Sequence, residues 1–566
     1  MLIRVSHASL CAALVICAGV MLPVKTSAQT IPNAADISRV KPEKNILRLD
    51  RGVDKPMDIT VQKGAVPIPE AAKSIKFNLK SVTVVGATAF SVDELSDIYS
   101  QDIGKEITLD AIYMMAGSIT ERYRNAGYFL SRAFIPAQEI DKGEVTINVI
   151  EGYVGAVDGA GELSHSDMIQ REIEHLTKLR PLSSKQMERF LLLLNDLPGN
   201  SFGGTLSPLE GAQDGAVKLT LTITEADGAG AISFDNYSSR FLGPNEIMAS
   251  YSKSLIPFHQ TTVSALSDVG GTKLRYGTID HNVSLAPDVR LQFSGGVTQA
   301  APGYTLESSE IESVSKFASL SVEYQVIRQR QQNLSIKGAL DWRNVTSDIL
   351  GAPLTRDYIR AFRATADYDV IDGWQGSNNA NLIVSHGVNW LNSSDPGDAN
   401  LSRVGALPDF TKAELSLSRL QSLTQDWSAY VSGAGQWASG VLYSSEQFGY
   451  GGQSFGRAYD ASDFTGDRGL KGAFELRYGG FANNGNVINL QPYGFYDIGV
   501  VWNDAIGQPP KQDASSFGVG LRFNTEWNQS GNVGLAWPID RNITAPIYGS
   551  GSMHGPRIIL QISQQF

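Results

Sequence analysis

The segment Gly451–Asp460 reads GGQSFGRAYD and offers two chemistries. Gly452-Gln453-Ser454-Phe455-Gly456 fits G-x-S-x-G, the pattern in which a serine nucleophile stands on a tight strand-to-helix turn. Arg457, one position on, carries a guanidinium that can fork onto a carboxylate through two charge-assisted hydrogen bonds. The nucleophile needs an apolar strand before it and a helix after it. Gln447–Gly452 is glycine-rich instead, and Phe455–Asp463 has no helical periodicity. The one histidine downstream is His554. A hydrolase is therefore rejected, and no enzymatic activity is expected. His165, His175, His259, His281 and His386 are scattered without ligand spacing, so no metal is expected. No phosphate loop is visible, and no cofactor is expected.

The arginine needs an anion. Phe495-Tyr496-Asp497-Ile498-Gly499 lies in a run that alternates with period two. Ile488, Leu490, Tyr496, Ile498, Val500 and Trp502 share its apolar face. Asn489, Gln491, Phe495, Asp497 and Gly499 share the other. Asp497 is the first candidate partner of Arg457. Glu475, on the polar face of the preceding strand, is the second.

Both carboxylates belong to a long stretch of one character. From Ala226 to the end helical periodicity disappears, and segments of about ten residues alternate apolar and polar. Val289, Leu291, Phe293 and Val297 oppose Arg290, Gln292, Ser294 and Thr298; Leu470, Phe474 and Leu476 oppose Lys471, Glu475 and Arg477. Roughly sixteen such segments fit, which predicts a closed transmembrane β-barrel rather than a soluble sandwich. Connections after even-numbered segments are short, as at Ile256–His259, Asp372–Gly376 and Leu423–Asp426. Several after odd-numbered ones are long: Asn392–Leu407, Ala438–Gly469 and Asp540–Pro556. Short periplasmic turns and long outer loops are expected of an outer-membrane barrel.

The chain has 566 residues, 19 % of them charged, and 56 glycines. After the first residues no apolar run is long enough for a spanning helix, so any membrane crossing must use strands. Arg4, the apolar run Ala8–Leu22 and the small-x-small site Thr26-Ser27-Ala28 predict a secretory signal over 1–28. Its removal takes both cysteines, Cys11 and Cys17, and shifts the net charge from −11 to −13 by losing Arg4 and Lys25. No basic stripe is present, so nucleic acid is not an expected partner. Residues 29–75 are proline-broken, with a short helix expected at Ile31–Val40 and a linker after it.

Residues 76–152 and 153–225 read as two copies of one unit, β-α-α-β-β. In the first, Phe77–Val85 is expected as a strand, Ser91–Tyr99 and Leu109–Ala126 as helices, and Leu130–Ile135 and Glu144–Ile150 as strands. In the second, Tyr153–Val157, Ser201–Leu209 and Val217–Thr224 are the strands. Ser164–Thr177 and Ser183–Asp196 are the helices, the second holding Leu191–Gly199, LLLLNDLPG.

With these units and the barrel of 226–566 in place, the chain resembles the two-partner-secretion transporters, the outer-membrane pores that export haemolysins and filamentous adhesins. Gly127-Tyr128-Phe129, Pro136 and Gly143–Gly152 resemble the end of the family's first POTRA domain, and LLLLNDLPG resembles a family signature in its second. The resemblance implies an α+β architecture of two periplasmic POTRA domains followed by a 16-stranded antiparallel barrel. It implies a secreted, unfolded exoprotein as partner and outer-membrane lipid as surroundings. It implies that Ala438–Gly469 is a sixth outer loop folded back into the lumen. Arg457, Ala458 and Tyr459 then match the family's arginine, glycine, aromatic tip, and Phe495, Asp497 and Gly499 its F-x-D-x-G strand motif. Alanine stands where the family has glycine, so a differently shaped tip is expected if that position needs positive φ. Ile31–Val40 matches the family's plug helix. Arg122, Tyr123 and Leu130 in the first POTRA domain, and Phe190 and Leu194 in the second, are candidates for lining a passenger groove, with core packing as their alternative role. A barrel-assembly insertase and a passive porin remain the competing functions.

Overall fold

The computed structural model describes residues 31–40, 68–140, 142–159, 166–212, 214–225, 228–479, 481–484, 487–540 and 556–566. The expected signal segment, most of the linker and nearly all of the outer segment Asp540–Pro556 lie outside the described residues.

The first α/β unit holds helices α1 (Val92–Ser96) and α2 (Leu109–Asn125). Ser91 starts α1 through a reciprocal cap: its hydroxyl accepts from Glu94 N–H, and the Glu94 carboxylate accepts from Ser91 N–H. Against these helices lies a sheet in the order 81–85, 144–150, 132–134. Ile112, Ile119, Tyr123, Val145 and Ile147 form the core between the layers. The expected strand Phe77–Val85 is divided. Lys76–Asn78 pairs with an additional strand, Glu106–Thr108, while Ser81–Val85 pairs in parallel with Glu144–Ile150. The break is at Leu79, which is fully buried and exchanges backbone bonds with Gly104 and Lys105; Lys80 N–H then bonds Gly143. The chain changes sheet partner there to bury one leucine.

The second unit repeats the plan with α3 (Asp167–Lys178), α4 (Ser184–Asn195) and the sheet order 153–159, 216–225, 200–208. Ser183 caps α4 with Gln186 in the same reciprocal way. Leu191, Leu194 and Leu197 fill its core with Ile169, Met187, Leu219 and Leu221. At the end of the first unit the Glu151 carboxylate accepts from Thr88 N–H (2.7 Å), Ala89 N–H (2.8 Å) and the Tyr123 hydroxyl (2.7 Å). Between the units Ser184 N–H donates to the Gly127 carbonyl (2.8 Å), and Phe129 and Leu130 pack against the second core.

Beyond Glu225 the chain enters a closed antiparallel barrel. Sixteen strands run from Ala229–Asp235 to Arg557–Gln565, which pair with each other to close it. The twelfth strand, Arg468–Tyr478, continues past a break as Phe481–Asn484; both parts pair with the thirteenth, Val487–Trp502. Among the described residues no helix is long and apolar enough to cross a membrane. The alternation sorts each strand: Leu470, Phe474, Tyr496 and Ile498 are exposed on the outer wall, while Phe495 and Asp497 are buried inside. Connections after even-numbered strands are short, as at 287–288 and 329–331. Those at 388–410 and 439–467 are long. The outer connection at 350–351 is a two-residue turn.

Candidate functional site

The long connection 439–467 turns back into the lumen. It forms a hairpin, Phe448–Tyr450 against Phe464–Gly466, which carries the tip 451–463 down the inner wall. Arg457 is buried at that tip. Its backbone N–H and Nε both donate to Asp497 Oδ2 at 3.0 Å, and Nη2 donates to Oδ1 at 2.6 Å. Nη1 donates to Glu475 Oε1 at 2.5 Å. The guanidinium lies 3.6 Å over the Phe495 ring. All three guanidinium nitrogens donate to a carboxylate, and the negative face of the Phe495 ring attracts the cation from one side.

The network extends along the wall. Arg522 donates to both oxygens of Glu475 at 3.0 and 3.0 Å and lies 4.0 Å over the Tyr493 ring. Arg477 adds a bond to Glu475 at 2.8 Å. Glu475 thus meets three guanidinium groups, while Asp497 has Arg457 as its cation and the Ser516 hydroxyl at 3.4 Å beside it. Gly499 serves by what it lacks: a Cβ there would stand 2.1 Å from the Tyr450 ring of the hairpin. The strand motif therefore pairs an anion for the arginine with a gap for an aromatic.

Tyr459 points the other way. Its hydroxyl donates toward Ser515 O (2.9 Å) and Asp540 O (2.5 Å), and its carbonyl accepts from Arg557. The expected consequence of Ala458 does not arise. The tip's left-handed residues are Gly451, Gly452, Gly456 and Ser462, so alanine at 458 carries no backbone strain and is simply buried.

Residues 33–40 share the lumen. They form two 3-10 turns, Asn33–Ala35 and Ile37–Arg39, instead of the expected helix. Asp36 accepts from Ser38 N–H and starts a second turn mid-segment. Ile37 packs among Leu242, Leu266, Leu274, Ala300 and Val345, and Arg39 reaches Gln447 Oε1 (2.7 Å) of the folded-in loop.

Comparison with known proteins places these features together. Residues 294–523 match the family model of the haemolysin secretion/activation proteins ShlB/FhaC/HecB, and residues 77–152 match the ShlB-type POTRA domain. The chain belongs to the two-partner-secretion outer-membrane transporters. It is 25 % identical to the heme/hemopexin transporter protein HuxB of Haemophilus influenzae strain 86-028NP, over 83 % of this chain and 85 % of that one. It is 23 % identical to the outer membrane transporter CdiB of Dickeya dadantii, over 82 % and 83 %. In fold it is similar to CdiB from Escherichia coli, with a TM-score of 0.70 at 17 % identity over 90 % of this chain and 94 % of that one. The transporter lies in the outer membrane with its two POTRA domains in the periplasm, and its family secretes exoproteins across that membrane.

The periplasmic candidates occupy different surroundings. Tyr123, Phe190 and Leu194 are core side chains of the transporter, so they line no groove. Each lies on the inner face of its helix, where apolar periodicity and a surface groove give the same pattern. Leu130 is half-buried and packs against the second POTRA core. Arg122 alone stands open, beside Phe90, Asp93, Glu94 and Asp97 in a shallow cleft; it bonds Asp97 at 2.7 Å.

Several interior ion pairs escape a reading by local motif. Arg403, from the connection 388–410, holds buried Asp467 with both Nη1 and Nη2, and its Nη2 also donates to Asn503. Arg363 (2.8 Å) and Lys412 (3.1 Å) both hold buried Glu446. Strand parity marks Arg363 and Lys412 as inward, but nothing in the sequence links them to a loop residue 83 or 34 positions away. The histidines are less scattered than expected. His259 Nδ1 and His281 Nε2 lie 3.2 Å apart on neighbouring strands, although among the described residues no group of three or more ligands could hold a metal.

Proposed function

We propose that the transporter takes an unfolded, dedicated exoprotein from the periplasm and passes it through the barrel, with the Arg457 contact holding the folded-in loop in its working position. The observation that carries this is the composition of the lumen. The lumen holds two segments, 33–40 and 439–467. The short first segment rests on Ile37 in one apolar cluster and Arg39 on Gln447, while the second is held by a hairpin, an aromatic cluster and the Arg457 ion pairs. The first has the fewer attachments and is the easier to withdraw. Between these segments and the wall remains a cavity of about 650 Å³, bounded by Ser233, Ser250, Ser264 and Ser563. On this reading segment 33–40 withdraws to admit the passenger, while Arg457, Asp497, Glu475 and Tyr459 keep the loop tip against the wall.

Capture falls to the POTRA domains. Ser81–Val85 is an edge strand of the first sheet, and an extended segment can add to such an edge through main-chain hydrogen bonds. Outer-membrane lipid meets the apolar wall. Folding of the passenger outside would bias the movement outward.

The test is a mass-spectrometric comparison of medium, cell surface and periplasm with and without the transporter. The expected outcome is loss of one or two large secreted proteins, retained or degraded in the periplasm. General depletion of barrel proteins would make the chain an assembly factor. Unchanged proteins with altered small-solute uptake would make it a porin. The filled lumen speaks against the porin.

A further inference from the structure

The segment Leu191–Gly199 divides its labour residue by residue. Leu191, Leu194 and Leu197 are core. Asn195 ties α4 to the next strand, donating to Leu191 O and Phe202 O and accepting from Phe202 N–H. Asp196 has no such role. It stands at the C-terminal end of α4, where the helix dipole disfavours an anion. Its side-chain contacts go to the barrel. Arg328 Nε and Nη2 donate to Oδ2 and Oδ1 at 2.6 and 2.9 Å, and Arg290 Nη2 donates to the Asp196 carbonyl at 3.2 Å. Two arginines at the periplasmic ends of barrel strands five and six thus cap the helix end that the acid leaves negative.

The same helix makes two further pairs. Glu188 accepts from Arg330 N–H at 3.0 Å and faces its Nε at 3.4 Å; Arg189 donates to Gln325 O at 3.2 Å and faces Asp288 at 3.5 Å. At one flank Gly199 lets the backbone close on the barrel, because a Cβ there would stand 2.4 Å from Ser254 Cβ. We infer that Asp196, with Glu188 and Arg189, is a docking latch that fixes the second POTRA domain beneath barrel strands four to seven and so positions the passenger's entry. The covalent connection explains why a latch is needed. The domain ends at Glu225 and the barrel begins at Ala229, a single tether about which a domain would rotate. The latch is the second attachment, and two points set an orientation that one cannot. Asp196 is thus a positioning residue for export.

The inference rests on the reading that POTRA domains deliver the passenger, so docking and delivery are measured separately. No cysteine follows Cys17, so two introduced cysteines are unique. Nitroxide labels at Glu174→Cys on α3 and Gln425→Cys in a periplasmic turn report the docking distance by pulsed electron resonance, without any passenger. Secretion of the protein lost on deletion reports delivery. Heat-modifiable gel mobility reports an intact barrel. Wild type should give one narrow distance. Asp196→Arg and Arg328→Asp should each broaden it and lower secretion about fivefold or more, with barrel mobility unchanged. The double exchange should restore both, as should Asp196→Glu the larger part. A narrow distance in the single variants would overturn the latch. So would an exchange that fails to restore it. Broadened distances with full secretion would overturn the positioning role while leaving the export function intact.

Discussion

The transporter uses one chemical device, an arginine forked onto an aspartate, in two places with different surroundings. Arg457 and Asp497 meet inside the barrel, where their side chains are 5 % and 0 % exposed. Arg328 and Asp196 meet at the periplasmic rim, where theirs are 16 % and 22 % exposed. In the lumen both charges have lost their water, and a second carboxylate, two more guanidinium groups and an aromatic face are built around them. At the rim, water and a helix end do part of that work. A buried pair contributes little net stability against an apolar substitute, but breaking one is expensive because the survivor stays desolvated. A pair that keeps some contact with water costs less to break and is partly screened by salt. The first therefore suits a contact that must hold one geometry. The second suits an alignment between domains.

The largest expected effect breaks the buried member. Arg457→Ala strands Asp497 and leaves Glu475 one cation short, a loss of about 3–5 kcal/mol. Secretion should collapse, and the tip 451–463 should become protease-sensitive from outside. The exchange Arg457→Asp with Asp497→Arg should recover only part of it, because the new aspartate faces Glu475. Full secretion in each single variant would remove any role for the lock. Next comes Gly499→Ala, which touches no charge. Its methyl must displace the Tyr450 ring and with it the hairpin. Secretion should fall, and adding Tyr450→Leu should return a measurable part.

A third carboxylate, Glu151 at the end of the first POTRA domain, sharpens the comparison through pH. Partial burial raises its pKa, but the bonds from Thr88, Ala89 and Tyr123 outweigh this and hold it below the usual glutamate value. A depressed carboxylate stabilises the folded state fully above its unfolded pKa and loses that contribution as pH falls through the folded one. Amide protection factors across 87–90 and 123–128, which remove the intrinsic pH dependence of exchange, should therefore hold near neutral pH and fall below about pH 4.3. Tyr123→Phe removes one donor, brings the folded pKa nearer the unfolded one and should make that fall smaller. A fall of equal size in both proteins would separate the Tyr123 bond from the titration of Glu151. The smallest effect is that of salt. Raising ionic strength from about 0.15 to 1 M shortens the screening length from ~8 to ~3 Å. The docking distance at the rim should broaden slightly, while protease protection of the Arg457 tip should not change.

Legibility followed the range of the interaction. Strand parity placed Asp497 and Glu475 inside and Ile498 and Leu470 outside, because a period of two is a local property. Helix starts at Ser91 and Ser183 were equally local, since a cap and its partner lie three residues apart. The split of Phe77–Val85 was not legible, because both halves are β-rich and only the burial of Leu79 decides the break. Tyr123, Phe190 and Leu194 show a second limit. A helix's apolar face reads the same whether a core or a passenger covers it.

By itself, then, the sequence determined the class of the molecule: two α/β repeats, a barrel of alternating strands, and an arginine on a glycine-rich loop with acids at inward positions. These follow from periodicity, capping and turn chemistry, which act over a few residues. Tertiary structure alone decided which acids the arginine meets, that Gly499 is a gap for Tyr450, that Asp196 faces Arg328, and that Arg403 crosses to Asp467. Those pairs lie 40, 49, 132 and 64 residues apart. What brings them together is closure of the barrel, a global event that sets every inward side chain against whatever loop folds back upon it.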